Sequence, residues 1–504
     1  MVNVLGVSCS LRNARFGSGS KKLINEINSI NNKDDLLGYL EQQTKIRADD
    51  FFKAGRSEKL PFDKIYRNLL RSKGDRGLSN SEAALVCGLW GAGEAGANIR
   101  HCGLASFFPM NGEARDLEKL REIVLWADAV LVSGPVYFGD RGSLAQAFFE
   151  FLKVDDACRK HVNGRVYAGV AVGAKRNGGQ ETTLIYQLID ATNMNMLAVG
   201  NDSATTAQYG GTSHAGDVGT MAADDYGIKT SVGTGRRLAM TSQMWDRGAK
   251  KSLVDNTRVA VWLLQDTKEN RGRTLIEDFC AAVEKQTEGV EFRVSDFTQE
   301  EIYRCIACDV CPTDVGTAEE YRCIINSSDD LFKRCHQEII QVDAILVAAY
   351  SPVDRRGINS VYQRFVERTR YLRRDDYLLG DRLIAPLVIS EVNSNQNLHI
   401  RMLTSFLRHL SVLHHPLIGF EYNGEVLNWG NMIEQGISFA GSATRLTAGR
   451  LSTPEQEVDE RHYNPVGYII SAEKSEHDQS VGKTEQIQGL RRDVHKSTKE
   501  KRIA

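Results

Sequence analysis

The sequence predicts an α/β protein made of two doubly wound domains, each with a central parallel sheet flanked by helices. Short apolar runs alternate with longer amphipathic stretches, which is the order of strands and helices in a parallel sheet. The same order recurs in the second half of the chain. With 504 residues, the chain is also longer than one hydrophobic core usually serves.

The predicted strands are short apolar runs at 4–7, 129–132, 167–172, 259–264, 344–347 and 386–389. Around the second strand of each half, WADA followed by SGPV corresponds to QVDA followed by YSPV. We interpret the matching order and motifs as an internal duplication.

The predicted domains are 1–252 and 256–470, followed by a polar, charged C-terminal tail at 471–504. The first domain carries an insertion at about 34–81, which the second domain lacks. This polar segment could be a lid, a dimer arm or a surface excursion.

Composition excludes several classes of partner. The net charge of −2 creates no basic field for nucleic acid, and no apolar run approaches the roughly 18 residues of a membrane helix. The first residues lack the basic start of a signal peptide. The ten cysteines are few for this length and partly clustered, which favours a reducing compartment over a disulfide scaffold. A cytoplasmic location is therefore expected.

A loop suited to phosphate follows the first strand. Residues 6–12 read GVSCSLR, and SGS at 18–20 opens the first helix. Helix N–H groups, serine hydroxyls and an arginine would meet a phosphate there. The spacing fits neither the dinucleotide glycine pattern nor a P-loop, which favours a monophosphate over a pyrophosphate. The alternative is a serine-rich turn with a helix cap.

This loop resembles the G-[IV]-S-G-S-x-R…S pattern of NADPH-dependent FMN reductases, a branch of the flavodoxin-like superfamily, except that Cys9 stands where glycine is usual. The stretch GPVYFG at 134–139 is similar to the family's loop on the flavin ring, and GAKRNGGQE at 173–181 is similar to its G-x-x-R-x-G-G-Q-E segment. Residues 233–239 resemble its closing helix start. The resemblance predicts two flavodoxin-like domains in tandem.

The resemblance implies that the first domain holds FMN, whose own chemistry carries the hydride and electrons. The implied cofactor-binding residues are Ser8, Ser10, Arg12, Ser18, Ser20, Pro135, Val136, Tyr137, Phe138, Gly139, Gly173, Arg176, Gly178, Gly179, Gln180 and Glu181. Alternatively, Tyr137 and Phe138 are core aromatics and the paired glycines a loop hinge. His214, in a polar stretch that closes over the active site in the family, could touch substrate or be solvated.

The second half contains a cysteine cluster, C-x2-C-x2-C-x11-C, formed by Cys305, Cys308, Cys311 and Cys323. Four thiolates at this spacing can ligate a [4Fe–4S] cluster, and iron-sulfur flavoproteins, relatives of the FMN reductases, carry a compact cysteine motif there. The last gap is longer than theirs. Zinc and redox-labile free thiols are the alternatives.

The corresponding flavin site of the second half is predicted to bind FMN weakly or not at all. Asp266 and Glu269 in its first loop would repel a phosphate. Its Pro-Val loop at 351–357 lacks the Tyr-Phe pair, and 390–397 lacks Gly-Gly-Gln-Glu. The basic stretch 364–374 could pair across the domain interface or bind an anionic partner, but a solvated helix face is the favoured interpretation.

The sequence thus predicts an FMN-dependent oxidoreductase that passes a hydride from NAD(P)H to a small acceptor or biosynthetic substrate. One alternative is an electron-transfer iron-sulfur flavoprotein that serves a partner enzyme, and another is a non-catalytic binding module. The expected partners are a small molecule or a redox protein, with no nucleic acid or membrane. The chain could form a homodimer, or its two halves could form a pseudo-dimer.

Overall fold

The computed structural model describes residues 1–12, 15–71, 77–203, 208–250, 256–265, 270–308, 321, 323–351, 360–373, 377–394 and 397–454. The predicted tail and the predicted boundary at 251–255 lie outside these ranges. Within them, no helix is both long and apolar enough to cross a membrane.

Strands and helices alternate through the first half of the chain. Its strands are β1 (Asn3–Ser8), β2 (Asn98–Gly103), β3 (Ala129–Tyr137), β4 (Asp140–Arg141), β5 (Val166–Gly173), β6 (Leu197–Ala198) and β7 (Gly211–His214). Its helices are α1 (Ser18–Asn28), α2 (Lys33–Lys53), α3 (Phe62–Arg71), α4 (Asn80–Glu94), α5 (Leu117–Leu125), α6 (Ser143–Val154), α7 (Asp156–Val162), α8 (Gln180–Thr192) and α9 (Asp225–Ala249). Short 3-10 turns occupy Leu104–Ser106 and Thr220–Ala223.

The second half repeats the alternation. Its strands are β8 (Thr257–Leu263), β9 (Val290–Asp296), β10 (Ala344–Ser351), β11 (Leu383–Glu391), β12 (Val412–Leu413), β13 (Leu417–Tyr422) and β14 (Glu425–Val426). Its helices are α10 (Arg271–Glu284), α11 (Leu331–Arg334), α12 (His336–Ile340), α13 (Val361–Arg368), α14 (Leu398–Leu407) and α15 (Trp429–Leu451), with a 3-10 turn at Thr369–Arg373.

All fourteen strands of the described residues belong to one sheet, which confirms the α/β class. The main strand order is β2-β1-β3-β5-β6-β12-β11-β10-β8-β9, so the two halves present the same order from opposite ends. Within each half these neighbours are parallel, whereas β6 and β12 pair antiparallel at Ala198 and Leu413. The predicted separate sheets are therefore joined at one edge.

A hydrogen bond at the start of the strands recurs in both halves. Asp128 accepts the backbone N–H of Asn3 at 3.0 Å, and Asp343 accepts that of Arg258 at 3.0 Å. Each aspartate immediately precedes the strand beside the one it contacts. The repeated contact agrees with the predicted duplication, which remains our interpretation of the repeated strand order.

The hydrophobic core is continuous between the halves. On one face of the sheet Leu131 shares a core layer with Leu387, and on the other Tyr167 shares one with Trp262. Strands of a parallel sheet bury both faces, and joining two such sheets extends each apolar face without a break. The predicted domains are thus packed as two parts of one three-layer structure.

Helices α9 and α15 cross where two glycines meet. A Cβ added to Gly248 would lie 1.9 Å from the Arg445 backbone oxygen, and one added to Gly449 would lie 2.0 Å from that of Met244. Nearby, the buried guanidinium of Arg237 pairs with Asp381 and donates to the Leu410 carbonyl. The halves are held together by backbone-to-backbone packing and a satisfied buried ion pair.

The predicted insertion forms α2 and α3, and it packs on the first half rather than projecting from it. Thr44 Oγ1 donates to the Gly219 carbonyl at 2.9 Å, and Arg56 pairs with Asp217 at 2.8 Å. The α2 helix thereby covers the segment between β7 and α9.

We expect Gly248→Ala to destabilise the protein by about 1–3 kcal/mol, because its methyl group would overlap the backbone of α15. Gly441→Ala is the matched control, since this glycine lies in α15 with nothing within 4 Å of an added Cβ. The control should be stabilised by about 0.5–1 kcal/mol through helix propensity. The midpoints of urea unfolding measure both changes. Equal midpoints for the two variants would contradict the close packing of α9 against α15 at Gly248.

Candidate functional site

The three predicted loops emerge at one edge of the sheet. Strands β1, β3 and β5 are adjacent and parallel, so the loops after Ser8, Tyr137 and Gly173 leave the same side. Ligands of doubly wound sheets bind beyond these carboxyl ends.

Contacts link the first loop to β3 and the second loop to the third. The Cys9 N–H donates to the Ser133 carbonyl at 2.8 Å, which ties the first loop to β3. A Cβ added to Gly179 would lie 2.8 Å from Gly139 Cα, so the second and third loops pass in direct backbone contact. Gly179 also has a φ of 93°, a conformation that favours glycine. The sequence-predicted segments are therefore assembled into one site.

The predicted residues of the first loop differ in whether their side chains are exposed or point inward. Arg12 and Ser18 are exposed, and both can reach a ligand in solvent. Ser10 is buried and accepts the Arg12 N–H at 3.3 Å. Ser20 Oγ points inward, where it donates to the Arg15 carbonyl at 3.1 Å. Ser8 Oγ is buried and has no hydrogen-bond partner among the described residues.

The N-terminus of α1 is open toward this loop. Gly17, with a φ of 59°, is the N-cap residue, and without a side chain it cannot cap the first N–H groups of the helix. A Cβ on Gly17 would meet no atom of the described residues within 4 Å. These donors, the positive end of the helix dipole and Arg12 together suit a phosphate.

A buried network below the loop was not predicted. The Glu82 carboxylate lies 3.7 Å from both Arg15 Nε and His101 Nε2, and His101 Nδ1 lies 3.0 Å from Ser20 Oγ. Burial, with a smaller effect of Arg15, lowers the pKa of His101 to about 3, so this ring is neutral at pH 7. The Ser79–Glu82 capping box is a sequence signal for this helix start, but only the fold places His101 beside it.

The second loop is a tight hairpin between β3 and β4. Phe138 and Gly139 form its two-residue turn, with φ values of 54° and 78°. Phe138 is fully exposed and Tyr137 is half exposed, so neither aromatic is a core residue. Pro135 and Val136 lie partly buried beneath them. The hairpin therefore presents two aromatic rings to solvent at the edge of the site.

The third loop is braced from within by Gln180. Its amide nitrogen donates to the carbonyls of Lys175 and Ser213, and its amide oxygen accepts the Gly178 N–H at 2.8 Å. A Cβ on Gly173 would collide with this side chain at 2.7 Å. Gln180 thus shapes the loop, whereas Glu181, the next residue, is exposed.

Arg176 of the third loop points toward β7 and α9. Its guanidinium forms an ion pair with the buried carboxylate of Asp224 and donates to the Thr212 carbonyl at 2.8 Å. It also lies over the Tyr226 ring at 4.8 Å. Side-chain direction, which motif matching does not give, makes Arg176 a brace of the loop in this structure.

The equivalent edge of the second half is filled by its own side chains. Tyr350 donates to Glu421 at 2.6 Å and contacts Glu391 at 3.2 Å, while Arg271 pairs with Glu421 at 2.6 Å. A cluster of carboxylates is a poor environment for a phosphate. This arrangement supports the prediction of weak FMN binding there, although 266–269, 352–359 and 395–396 lie outside the described residues.

The predicted cysteine cluster is only partly described. Cys305, Cys308 and Cys323 are partly exposed thiols, and Cys311 lies outside the described residues. Among the residues that the structure describes, no group of three or more His, Cys, Asp or Glu side chains is arranged to hold a metal ion. The metal prediction therefore stays a prediction.

One buried ion pair anchors both ends of the cysteine segment. Arg368 and Asp330, both almost fully buried, pair at 2.8 Å, so the predicted solvated face of 364–374 is wrong for Arg368. Asp330 accepts the Tyr303 N–H at 3.1 Å, and Arg368 donates to the Tyr303 carbonyl at 3.2 Å. Arg368 also donates to Tyr321 Oη at 2.6 Å. Tyr303 and Tyr321 each precede a cysteine by two residues, so the two ends of the cysteine segment are anchored at the same ion pair.

Comparisons with known proteins agree with the first-half site. Residues 79–210 match the family NADPH-dependent FMN reductase. This match includes the second and third loops but begins after the phosphate-type loop. The resemblance to NADPH-dependent FMN reductases is thereby confirmed for this segment, and the match says nothing of a duplication.

Two iron-sulfur flavoproteins of Methanocaldococcus jannaschii are similar to parts of the chain. One is 35% identical over 126 residues, which cover 24% of this chain and 61% of the relative. The other is 37% identical over 76 residues, covering 14% of this chain and 35% of the relative. The chain therefore spans less than two thirds of the length of either relative.

Among solved structures, similar chains include a flavodoxin, WrbA-like protein from Agrobacterium tumefaciens, with 12% identity and a TM-score of 0.25 over 48% of this chain and 98% of that chain. An azoreductase from Bacillus anthracis has 15% identity and a TM-score of 0.24 over 37% of this chain and 99% of that chain. Neither likeness supports an inference about function.

Gly179→Ala tests the contact between the second and third loops. We expect a loss of about 1–2 kcal/mol from the left-handed backbone and about 1–3 kcal/mol more from overlap with Gly139. Gly112→Ala is the control, because its φ is 89° but nothing lies within 4 Å of an added Cβ. Urea unfolding should show the smaller loss alone in the control. Equal losses would mean that the loops do not touch.

Proposed function

We propose that the chain is an FMN-dependent oxidoreductase whose first half holds FMN and passes a hydride from NAD(P)H to a small acceptor. The observation that carries this proposal is the family match at 79–210, together with the convergence of three motif loops at one sheet edge. Neither feature alone would distinguish a cofactor site from ordinary loops.

The residues present fit this cofactor. The open N-terminus of α1, with the exposed Arg12 and Ser18, would hold the phosphate. Gly139 has open space above it, since an added Cβ would meet nothing within 4 Å. Its backbone can approach a flat ring closely. The bound cofactor would supply the hydride chemistry.

The exposed rings of Tyr137 and Phe138 support a flat, apolar acceptor. Adjacent exposed apolar side chains that form a patch often mark a ligand or partner site. Tyr66, in the insertion, contacts the exposed Met110 side chain at 3.8 Å, which adds apolar surface in the loop after β2. We propose that an aromatic acceptor stacks beside the hairpin.

An electron-transfer iron-sulfur flavoprotein is a second candidate function. The convergence of Tyr303 and Tyr321 on one ion pair favours it, as does the similarity to two proteins named iron-sulfur flavoproteins. The antiparallel junction, however, turns the carboxyl edges of the two halves to opposite sides of the sheet. Across the sheet, β5 and β10 are separated by four strand spacings, or about 19 Å. The two carboxyl edges are also separated along the strands by a strand length of about 25 Å. A cluster in the second half would therefore serve a partner other than the FMN of its own chain.

Arg12→Ala tests the proposed phosphate site. We expect FMN affinity, measured by quenching of flavin fluorescence on titration, to fall about 10- to 150-fold, because a charge-assisted hydrogen bond contributes about 1.5–3 kcal/mol. Arg159→Ala, in α7 at the amino end of the strands, is the control and should bind FMN as the wild type does. A wild-type protein that remains colourless after incubation with FMN would refute the proposed function.

The iron-sulfur candidate is tested by anaerobic purification with iron, sulfide and zinc analysis. The electron-transfer hypothesis expects about four iron and four sulfide per chain and their loss in Cys305→Ser. Cys280→Ala, at a buried thiol of α10, is the control and should retain the metal. Zinc without sulfide, or no metal at all, would rule out the cluster.

A further inference from the structure

His101 lies in β2, and its fully buried imidazole is directly below the first loop. Its backbone pairs with Gly6 of β1, two residues before that strand ends at Ser8. Burial, with a smaller effect of Arg15, lowers the pKa of His101 to about 3. The ring is therefore neutral at pH 7, and its two nitrogens provide one donor and one acceptor for polar groups on either side.

One ring nitrogen contacts the first turn of α1. His101 Nδ1 lies 3.0 Å from Ser20 Oγ, which also donates to the Arg15 carbonyl at 3.1 Å. Arg15 in turn packs on the end of β2, since a Cβ added to Gly103 would lie 2.7 Å from the Arg15 carbonyl oxygen. Ser20 is therefore tied both to the sheet and to the end of the first loop.

The other ring nitrogen faces a fixed carboxylate. His101 Nε2 lies 3.7 Å from Glu82 Oε1, and the Glu82 side chain is almost fully buried. Glu82 also forms the capping box with Ser79 at the start of α4, where its second oxygen accepts the Ser79 N–H at 3.3 Å. The imidazole thus stands between the start of a buried helix and the first turn of α1.

This first turn is the part of the proposed site that meets the phosphate. Its N–H groups point out of the helix end, and Gly17 leaves them without a side-chain cap. A backbone segment that must be ordered when a ligand binds reduces the affinity, whereas a segment held in place beforehand does not. A side chain that fixes Ser20 therefore raises the affinity for a phosphate without touching it.

We propose that His101 is a positioning residue, which holds the first turn of α1 through Ser20 so that its N–H groups are arranged for the phosphate of FMN. The inference rests on the proposed function. Its effect is confined to the phosphate end of the cofactor. Riboflavin, the same flavin without the phosphate, gains nothing from the contact.

Two neutral replacements separate positioning from packing. An asparagine amide lies near the place of Nδ1 and can donate to or accept from Ser20, whereas a glutamine amide lies near the place of Nε2. In His101→Gln we expect the affinity of the full-length protein for FMN, measured by quenching of flavin fluorescence, to fall about fivefold, as for the loss of one neutral hydrogen bond. His101→Asn should bind FMN as the wild type does. Riboflavin affinity should be equal in all three proteins.

A role in packing alone predicts the opposite order, because asparagine is the smaller residue and leaves the larger cavity. An FMN affinity that is lower in His101→Asn than in His101→Gln would therefore overturn the proposal. Equal losses for FMN and riboflavin, or no loss in His101→Gln, would overturn it too. Urea unfolding of each variant shows that the proteins compared are folded.

Ser20→Ala tests the same contact from its other side and leaves the buried ring in place. We expect the same selective loss of FMN affinity, and an unchanged affinity would contradict the proposal. Ser29→Ala is the matched control, because Ser29 Oγ donates to the Glu26 carbonyl at the other end of α1. This control should bind FMN as the wild type does.

The two possible failures are distinguishable. A wild-type protein that binds no FMN refutes the proposed function and this inference together. A wild-type protein that binds FMN, with the same affinity as His101→Gln and Ser20→Ala, refutes the positioning role alone.

Discussion

The antiparallel pairing of β6 with β12 determines the architecture of the whole molecule. These strands have two residues each, and a contact of this size cannot hold two domains by itself. It is stabilised by the glycine crossing of α9 and α15 on one face and by the continuous apolar layers on both. As a result, the parallel strands of one half run in the opposite direction to those of the other half. Every relation between the two sets of loops follows from that inversion.

The halves share a scaffold but differ in how their loop edges are satisfied. At the first edge, serine, arginine and glycine leave open donors and close backbone approaches. At the second, Tyr350, Arg271 and two glutamates bind each other, so the polar groups are consumed within the chain. A site that satisfies its own donors has little to offer a ligand. The same strand order can therefore carry a cofactor-type site in one half and a self-contained hydrogen-bond network in the other.

Much of this was predictable because it depends on local sequence. Apolar runs identified the main strands, and the motif loops were placed at the ends of β1, β3 and β5. The two-residue strands β6 and β12 gave no such signal, and their pairing depends on groups more than 200 residues apart. The sequence therefore did not show how the two halves are joined, and the pseudo-dimer stays a prediction.

Side-chain direction was the other limit of the sequence. The motif predicted Gln180 and Arg176 as cofactor ligands together with Arg12, yet the fold turns the first two inward and leaves Arg12 outward. Spacing along the chain cannot make this distinction, since it depends on which carbonyls and carboxylates lie nearby. Glu82 and His101 were not predicted for the same reason. They lie below the first loop only because of contacts that form in the folded protein.

Joining the half-sheets also has a consequence for aggregation. Each half alone would end in an open strand edge at β6 or β12, with unpaired N–H and C=O groups that can recruit strands from other chains. In the joined sheet the main strand path ends instead at β2 and β9. Both outer strands carry exposed charged residues, Arg100 in β2 and Arg293 in β9, which discourage edge-to-edge association. The antiparallel joining that separates the two loop edges thereby leaves a charged outer strand at each end of the main strand path.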